Sequence, residues 1–114
     1  MRYRKQLAID FAKSLNHPEI EKIILFGSVA RGEDTKESDI DILIVTCNIN
    51  NDLKISDDVY GKVMDILLET GEYLSTKMVP IEHYQKRSNS YFYINVENEG
   101  ILIGWTDNIT VWNF

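Results

Sequence analysis

The sequence is poor in the residues that cross-link or interrupt a chain. It has one cysteine, Cys47, together with two prolines and six glycines among 114 residues. A lone cysteine cannot form an internal disulfide, and this fits a reducing compartment such as the cytosol. Because no Pro-, Gly- or Ser-rich tract separates two halves, we expect residues 1–114 to form a single domain.

Long hydrophobic runs are also missing. No apolar stretch approaches the roughly 20 residues that a membrane-spanning helix needs. The basic start Met1–Lys5 is not followed by an apolar signal core, so neither membrane insertion nor secretion is expected. These observations predict a globular protein of the cytoplasm.

Positive charge is in deficit, with 12 Lys and Arg residues against 18 Asp and Glu, a net charge of −6. Nucleic-acid binding depends on cations that neutralise phosphates, so we do not expect broad binding to RNA or DNA. The basic residues near the start and at Lys86 and Arg87 are explained more simply as solvated helix faces. His17 and His83 lie beside helix-end signals and are expected at the surface.

Hydrophobic periodicity predicts alternating helices and strands. Helices are expected at 2–16, 29–31, 57–70, Pro80 to about Arg87, and 90–99. Strands are expected at 21–26, 39–46, 72–79, 101–103 and 109–112. The order predicts a small mixed β-sheet flanked by helices, of the α/β or α+β class.

Gly27 ends the first predicted strand and Ser28 is expected to cap the short helical turn that follows. A residue without a Cβ lets backbone N–H groups approach an anion closely. The unpaired N–H groups at a helix start favour a phosphate, and the Ser28 hydroxyl adds a donor. Arg31, one turn further on, either reaches a phosphate or pairs with Glu33 or Asp34.

Asp39 and Asp41 are two residues apart on the second predicted strand, so their side chains share a face, with backbones roughly 7 Å apart. Two carboxylates at this spacing repel each other unless a cation lies between them. Oxygen ligands suit Mg²⁺ or Mn²⁺. A divalent metal beside a phosphate-binding turn is an arrangement for phosphoryl or nucleotidyl transfer.

Three other phosphate or metal motifs do not fit. A calcium loop starting at Asp39 requires Gly at its sixth position and Glu at its twelfth, where the chain has Ile44 and Asn50. A P-loop fails because no Gly-Lys-Ser/Thr follows the glycine. Gly27 and Gly32 do not give the Gly-x-Gly-x-x-Gly spacing of a dinucleotide site either.

The segment Gly27–Gly32 together with Ser38–Asp41 resembles the signature of the polymerase-β-type nucleotidyltransferases, and in particular the minimal nucleotidyltransferase group. The close match covers about residues 21–46, and the later order of helices and strands is similar but looser. The resemblance implies a short mixed sheet flanked by helices.

The resemblance also implies functions for individual residues. Gly27 and Ser28, with Arg31 as a further candidate, would bind the triphosphate, and Asp39 and Asp41 would bind Mg²⁺ or Mn²⁺ and serve catalysis. The implied reaction moves a nucleoside monophosphate, usually AMP from ATP, to a hydroxyl and releases pyrophosphate. Minimal members commonly act as antitoxins beside a helical toxin of the HEPN type, so a hydroxyl on such a partner is the implied acceptor.

Active members of this group usually carry a third carboxylate on the strand predicted here at 72–79. That position falls on Tyr73, while Glu72 is expected on the opposite face unless the register shifts by one residue. The missing carboxylate leaves two hypotheses open: a metal-dependent nucleotidyltransferase, or a degenerate module that neutralises its partner by contact. A fragment of a larger antibiotic-modifying or RNA-tailing enzyme is a third idea, disfavoured by length and acidity.

Aromatic residues cluster late in the chain. They are expected in the core or at the surface of a homo-oligomer, because a small domain needs bulky side chains to fill its interior. They are Tyr91, Phe92, Tyr93, Trp105 and Trp112.

Overall fold

A computed structural model of the protein describes residues 2–47, 52–86 and 91–105. Within these residues, helices and strands alternate along the chain. The helices are α1 Arg2–Ser14, α2 Gly27–Arg31, α3 Asp52–Thr70, α4 Ile81–Gln85 and α5 Tyr91–Glu99. The strands are β1 Ile20–Phe26, β2 Ile40–Thr46, β3 Leu74–Pro80 and β4 Ile101–Trp105. The predicted α/β class and the helix at 90–99, which becomes α5, are confirmed.

The four strands form one mixed sheet in the order β3-β2-β1-β4. β1 is antiparallel to both β2 and β4, whereas β2 and β3 are parallel. Parallel neighbours need a crossover, and α3 supplies it. The two central strands, β1 and β2, are those that carry the glycine turn and the aspartate pair at their ends.

Alternation along β2 divides its side chains between two cores. Ile40, Ile42 and Ile44 are fully buried in a cluster with α1 and α3 on one face of the sheet. Leu43 and Val45 belong to a second cluster on the opposite face. The prediction that the isoleucines face one way and Leu43 the other is confirmed, and alternation along β2 leaves Asp41 on the second face.

The second face is covered by α4 and α5. Tyr84, Tyr93 and Val96 are buried there, and the Tyr84 and Tyr93 rings meet edge to face with centroids 5.7 Å apart. The exposed His83 lies with Nδ1 2.8 Å from the Tyr93 hydroxyl. Of the late aromatic residues, Tyr93 is therefore core, whereas Tyr91 is 78% exposed; the side chain of Trp105 and all of Trp112 lie outside the described residues.

Two predicted boundaries were wrong. α3 begins at Asp52, five residues before the predicted start, because Ile55 extends the buried stripe of Val59 and Val63 by one turn. Ile55 is only 1% exposed, but its polar neighbours hide it in the sequence. β3 begins at Leu74, two residues after the predicted start, and the residues between α3 and β3 form an irregular connection.

Other boundaries moved little. α1 ends at Ser14 instead of residue 16, and β4 continues to Trp105 instead of ending at residue 103. α4 ends at Gln85, two residues before the predicted end near Arg87, and the strand predicted at 109–112 lies outside the described residues. Across the three described ranges, no helix has both the length and the hydrophobicity that a bilayer crossing requires.

Candidate functional site

The glycine turn joins β1 to α2 at one edge of the sheet. Phe26 is the N-cap of α2, with an extended backbone and no side-chain cap, and the helix begins at Gly27 with φ +76°. The prediction that Ser28 caps the helix was wrong, because Ser28 already lies inside its first turn. Gly32, at φ +75°, closes the helix with a backbone N–H bond of 3.2 Å to the Val29 carbonyl.

Gly27 packs directly against Asp41. Phe26 pairs with Asp41 across the β1–β2 ladder, and this places the next residue beside the aspartate. A Cβ added to Gly27 would overlap an oxygen of the Asp41 carboxylate and lie 3.1 Å from its Cγ. Contact with the carboxylate and the left-handed backbone both require glycine here. The structure thus joins the two predicted motifs at a single point.

The two aspartates form a charged pair at the start of β2. Asp39 is exposed just before the strand, and Asp41 is half-buried within it. Burial raises the pKa of Asp41, the charge of Asp39 raises it further, and the charge of Arg31 opposes both. A carboxylate that is disfavoured by burial and by a like charge gains from a nearby cation.

The aspartate pair fits a divalent cation that is bound partly by the two carboxylates and partly by phosphate oxygens of a substrate. Mg²⁺ is usually bound through one or two carboxylates, with the remaining ligands from substrate phosphates and water. Among the described residues, no group of three or more His, Cys, Asp and Glu side chains is arranged to hold a metal. The protein therefore offers Asp39 and Asp41, and the other ligands of a bound cation would be phosphate oxygens and water.

The strand beside Asp41 carries no third carboxylate. β3 pairs in parallel with β2, with Ser75 beside Asp41 and Leu74 beside Ile40. Neighbours in register project to the same face, so Ser75 is the β3 side chain next to the aspartate pair. Tyr73 lies before the strand, and its carbonyl accepts the Ile40 N–H at 3.0 Å. The segment Leu74–Pro80 contains neither Asp nor Glu.

Glu72 is held elsewhere, by Arg4 of α1. Arg4 is 6% exposed, and its Nε lies 3.0 Å from a Glu72 carboxylate oxygen. Its other nitrogens bind the loop between α2 and β2: Nη1 donates to Asp34 Oδ2 at 3.1 Å and to the Thr35 carbonyl at 2.6 Å, and Nη2 donates to the Lys36 carbonyl at 3.2 Å. One buried guanidinium therefore fixes the loop that leads to Asp39.

Sequence reasoning missed Arg4 because it treated the basic start as a solvated helix face. A signal was present: Arg4 is one helical turn from Ala8 and two turns from Ala12, both of which are buried. Burial would raise the pKa of the Asp34 carboxyl, but a backbone hydrogen bond and nearby positive charge, including Arg4, lower it overall. Asp34 is therefore the partner of Arg4 and not of Arg31.

Arg31 stands at the end of α2 between two carboxylates. Its Nε donates to Glu33 Oε1 at 2.9 Å, and its Nη1 donates to Glu99 Oε1 at 2.6 Å. These hydrogen bonds, first that of Glu33 and then that of Glu99, raise the pKa of the guanidinium. The predicted pairing with Glu33 occurs, whereas Glu99 was not identified from the sequence, where it stands 68 residues away.

A strand-end glycine against an Asp-x-Asp strand, on a mixed sheet flanked by helices, defines the nucleotidyltransferase class. The model of the family described as "Polymerase beta, Nucleotidyltransferase" matches residues 9–108. The chain belongs to this family, and the resemblance to its minimal members is confirmed.

Individual relatives agree with this assignment. A Methanocaldococcus jannaschii protein named "Putative protein adenylyltransferase MJ0604" is 40% identical over 95 residues, which cover 83% of this chain and 89% of that protein. The fold is similar to a toxin–antitoxin complex with AMP-PNP, with TM-score 0.54, 19% identity, and coverage of 90% of this chain and 74% of that one. A mutant of the toxin–antitoxin MntA-HpeT has TM-score 0.51 and 22% identity, with coverage of 90% of this chain and 73% of that one.

Proposed function

We propose that this protein transfers AMP from ATP to a hydroxyl group of a partner protein. The observation that carries the proposal is the contact between Gly27 and Asp41, because it brings together the turn proposed to bind phosphate and a carboxylate proposed to bind the metal. The relative named as a protein adenylyltransferase supports a protein acceptor. The structural similarity to toxin–antitoxin complexes supports a toxin as that partner, and the resemblance to minimal nucleotidyltransferases implies that it is of the helical HEPN type.

In this proposal each part of the site has one task. Gly27 and Ser28 bind the phosphates through backbone N–H groups and a hydroxyl, and Arg31 neutralises part of their charge. Asp39 and Asp41 would hold Mg²⁺ or Mn²⁺, which supplies charge neutralisation at the phosphates. The acceptor oxygen forms a bond to the α-phosphorus, the bond to the pyrophosphate oxygen breaks, and pyrophosphate and a proton are released.

A test of transfer uses labelled ATP, Mg²⁺ and the protein encoded by the neighbouring gene. We expect label on the partner, loss of labelling with EDTA, and recovery on addition of Mg²⁺ or Mn²⁺. A variant with both Asp39→Asn and Asp41→Asn should lose labelling. The control variant, with Asp57→Asn and Asp65→Asn, makes the same charge change on exposed residues of α3 and should label normally.

One observation favours the second candidate, neutralisation by contact alone. The resemblance implies a third carboxylate at Tyr73, and neither Tyr73 nor Ser75, the residue beside Asp41, supplies one, so binding of nucleotide and partner can persist without turnover. The same double aspartate variant separates the two functions in cells that express the partner toxin. Retained protection with intact partner binding supports contact, whereas lost protection with intact binding supports transfer.

A further inference from the structure

Glu99 reaches the glycine turn because of a tight junction between α5 and β4. Glu99 is the last residue of α5, and the next residue, Gly100, donates its N–H to the Val96 carbonyl at 2.8 Å. A Cβ on Gly100 would lie 2.6 Å from the Ile24 side chain, so only glycine allows this close approach. β4 then pairs with β1 through Ile101 and Leu25, and this brings the end of α5 beside the end of β1.

Glu99 holds Arg31 without using up its hydrogen-bonding capacity. A guanidinium has five N–H donors. Glu33 takes the Nε donor and Glu99 takes one Nη1 donor, while no contact within the described residues uses Nη2. The remaining donors are available for a phosphate. Arg31 is the last residue of α2, the short helix that begins at Gly27, so it lies about one turn from the glycine.

The two partners of Arg31 differ in how firmly they are held. The Glu99 side chain is 23% exposed and that of Glu33 is 67% exposed. An ion pair on an exposed side chain has little orienting power, because solvent screens it and the side chain keeps its freedom. Glu99 also comes from a different element, so it fixes Arg31 relative to the sheet, whereas Glu33 is only two residues along the same segment.

We propose that Glu99 is a positioning residue that orders the Arg31 guanidinium beside the triphosphate site before the nucleotide arrives. The inference rests on the proposed function, in which Arg31 binds phosphate. A free arginine side chain must be ordered when the ligand binds, and this lowers the affinity roughly three- to tenfold. Glu99 removes this loss in advance.

The experiment compares Glu99→Gln with Glu33→Gln, since both remove one negative charge next to the same arginine. Isothermal titration calorimetry at about 0.15 M salt with Mg²⁺ gives the Kd of ATP, inorganic triphosphate and adenosine. Glu99→Gln should weaken ATP and inorganic triphosphate by the same factor, about three- to tenfold relative to Glu33→Gln. Adenosine binding should be unchanged, whereas a general loss of structure would weaken all three.

A second arm removes the arginine. In an Arg31→Ala background, Glu99→Gln should have no further effect on ATP affinity, because there is no guanidinium left to orient. Thermal unfolding checks that each variant is folded, and Glu99→Asp replaces Glu99→Gln if the latter is not. Equal or tighter binding by Glu99→Gln relative to Glu33→Gln would overturn the inference. Wild-type protein that binds neither ATP nor triphosphate would instead overturn the proposed function.

Discussion

At the scale of single residues, the feature that joins the two halves of the candidate site is the close approach of Gly27 to Asp41. The absent side chain of Gly27 is what lets the Asp41 carboxylate stand against the turn. Burial in this position, and then the neighbouring charge of Asp39, raise the pKa of Asp41.

Substitution of this glycine can be tested against a matched control. Gly27→Ala and Gly32→Ala both place a side chain at a left-handed backbone, with φ +76° and +75°, and each should lower the free energy of unfolding by about 1 kcal/mol. Only Gly27→Ala also displaces Asp41, because a Cβ on Gly32 meets nothing within 4 Å. We expect ATP binding, measured by calorimetry, to fall at least about tenfold for Gly27→Ala alone. Equal losses in both variants would contradict this explanation.

A pH-dependent contact joins the loop after α1 to α3. Asp58 Oδ2 is 2.7 Å from His17 Nε2, and Oδ1 is 3.1 Å from Lys62 Nζ. The hydrogen bond from His17, and then that from Lys62, lowers the pKa of Asp58. A carboxyl with a lower pKa in the folded state stabilises the fold above its unfolded pKa, about 3.9, and this stabilisation is lost as pH falls through the folded value.

Asp58→Asn should therefore lower the free energy of unfolding by about 0.5 kcal/mol near pH ~6, and by less near pH ~3. Urea denaturation at the two pH values measures the difference. Asp57→Asn makes the same charge change at an exposed neighbour, which has no ion pair in the described part of the chain, and should show no such dependence. If the loss of unfolding free energy in Asp58→Asn were larger at the lower pH, the ionised Asp58 carboxylate would not be the source of the stabilisation.

Residues of the site were predictable to different degrees. The Gly27–Ser28 turn and the Asp39–Asp41 pair follow from local spacing, because a strand end and a two-residue alternation are encoded within a few positions. Arg4 and Glu99 act on the site through partners 30 and 68 residues away, and no local pattern reveals such pairs.

At the scale of elements, the loop between α2 and β2 is held in place by a residue of another element, Arg4 of α1. Three residues of the loop bind Arg4, which also binds Glu72 just before β3. β3 begins two residues later than predicted, and Glu72, which the prediction placed in the strand, forms an ion pair with Arg4 of α1 instead. The start of α3 was predicted too late because Ile55, the buried residue of its first turn, stands among polar neighbours in the sequence.

Glu72→Gln tests this role against a role in metal binding. Loss of the ion pair to the buried Arg4 should lower the free energy of unfolding by about 1 kcal/mol, measured by urea denaturation. ATP affinity with Mg²⁺ should change less than about twofold. Glu69→Gln, on an exposed position near the end of α3, is the control and should change neither. Full stability with lost metal-dependent binding would instead place Glu72 among the metal ligands.

At the scale of the whole molecule, the charge balance opposes nucleic-acid binding. A net charge of −6 repels a phosphate backbone, and the buried Arg4 of α1 already has carboxylate and carbonyl partners. We expect no binding to single-stranded RNA at about 0.15 M salt up to about 0.1 mM protein, measured by fluorescence anisotropy. Binding that weakens steeply as salt is raised would instead show a basic surface that the described fold does not suggest.

The position of β4 has a consequence for the order in which the site is completed during synthesis. β1, α2 and β2 follow one another closely, so the glycine turn can meet the aspartate pair early. β4 pairs with β1 from the far end of the described chain, and distant pairings form late because a long loop must first close. A nascent chain would thus carry the turn and both aspartates while Arg31 still lacks Glu99. Nucleotide affinity should rise in a second step, when the last strand docks.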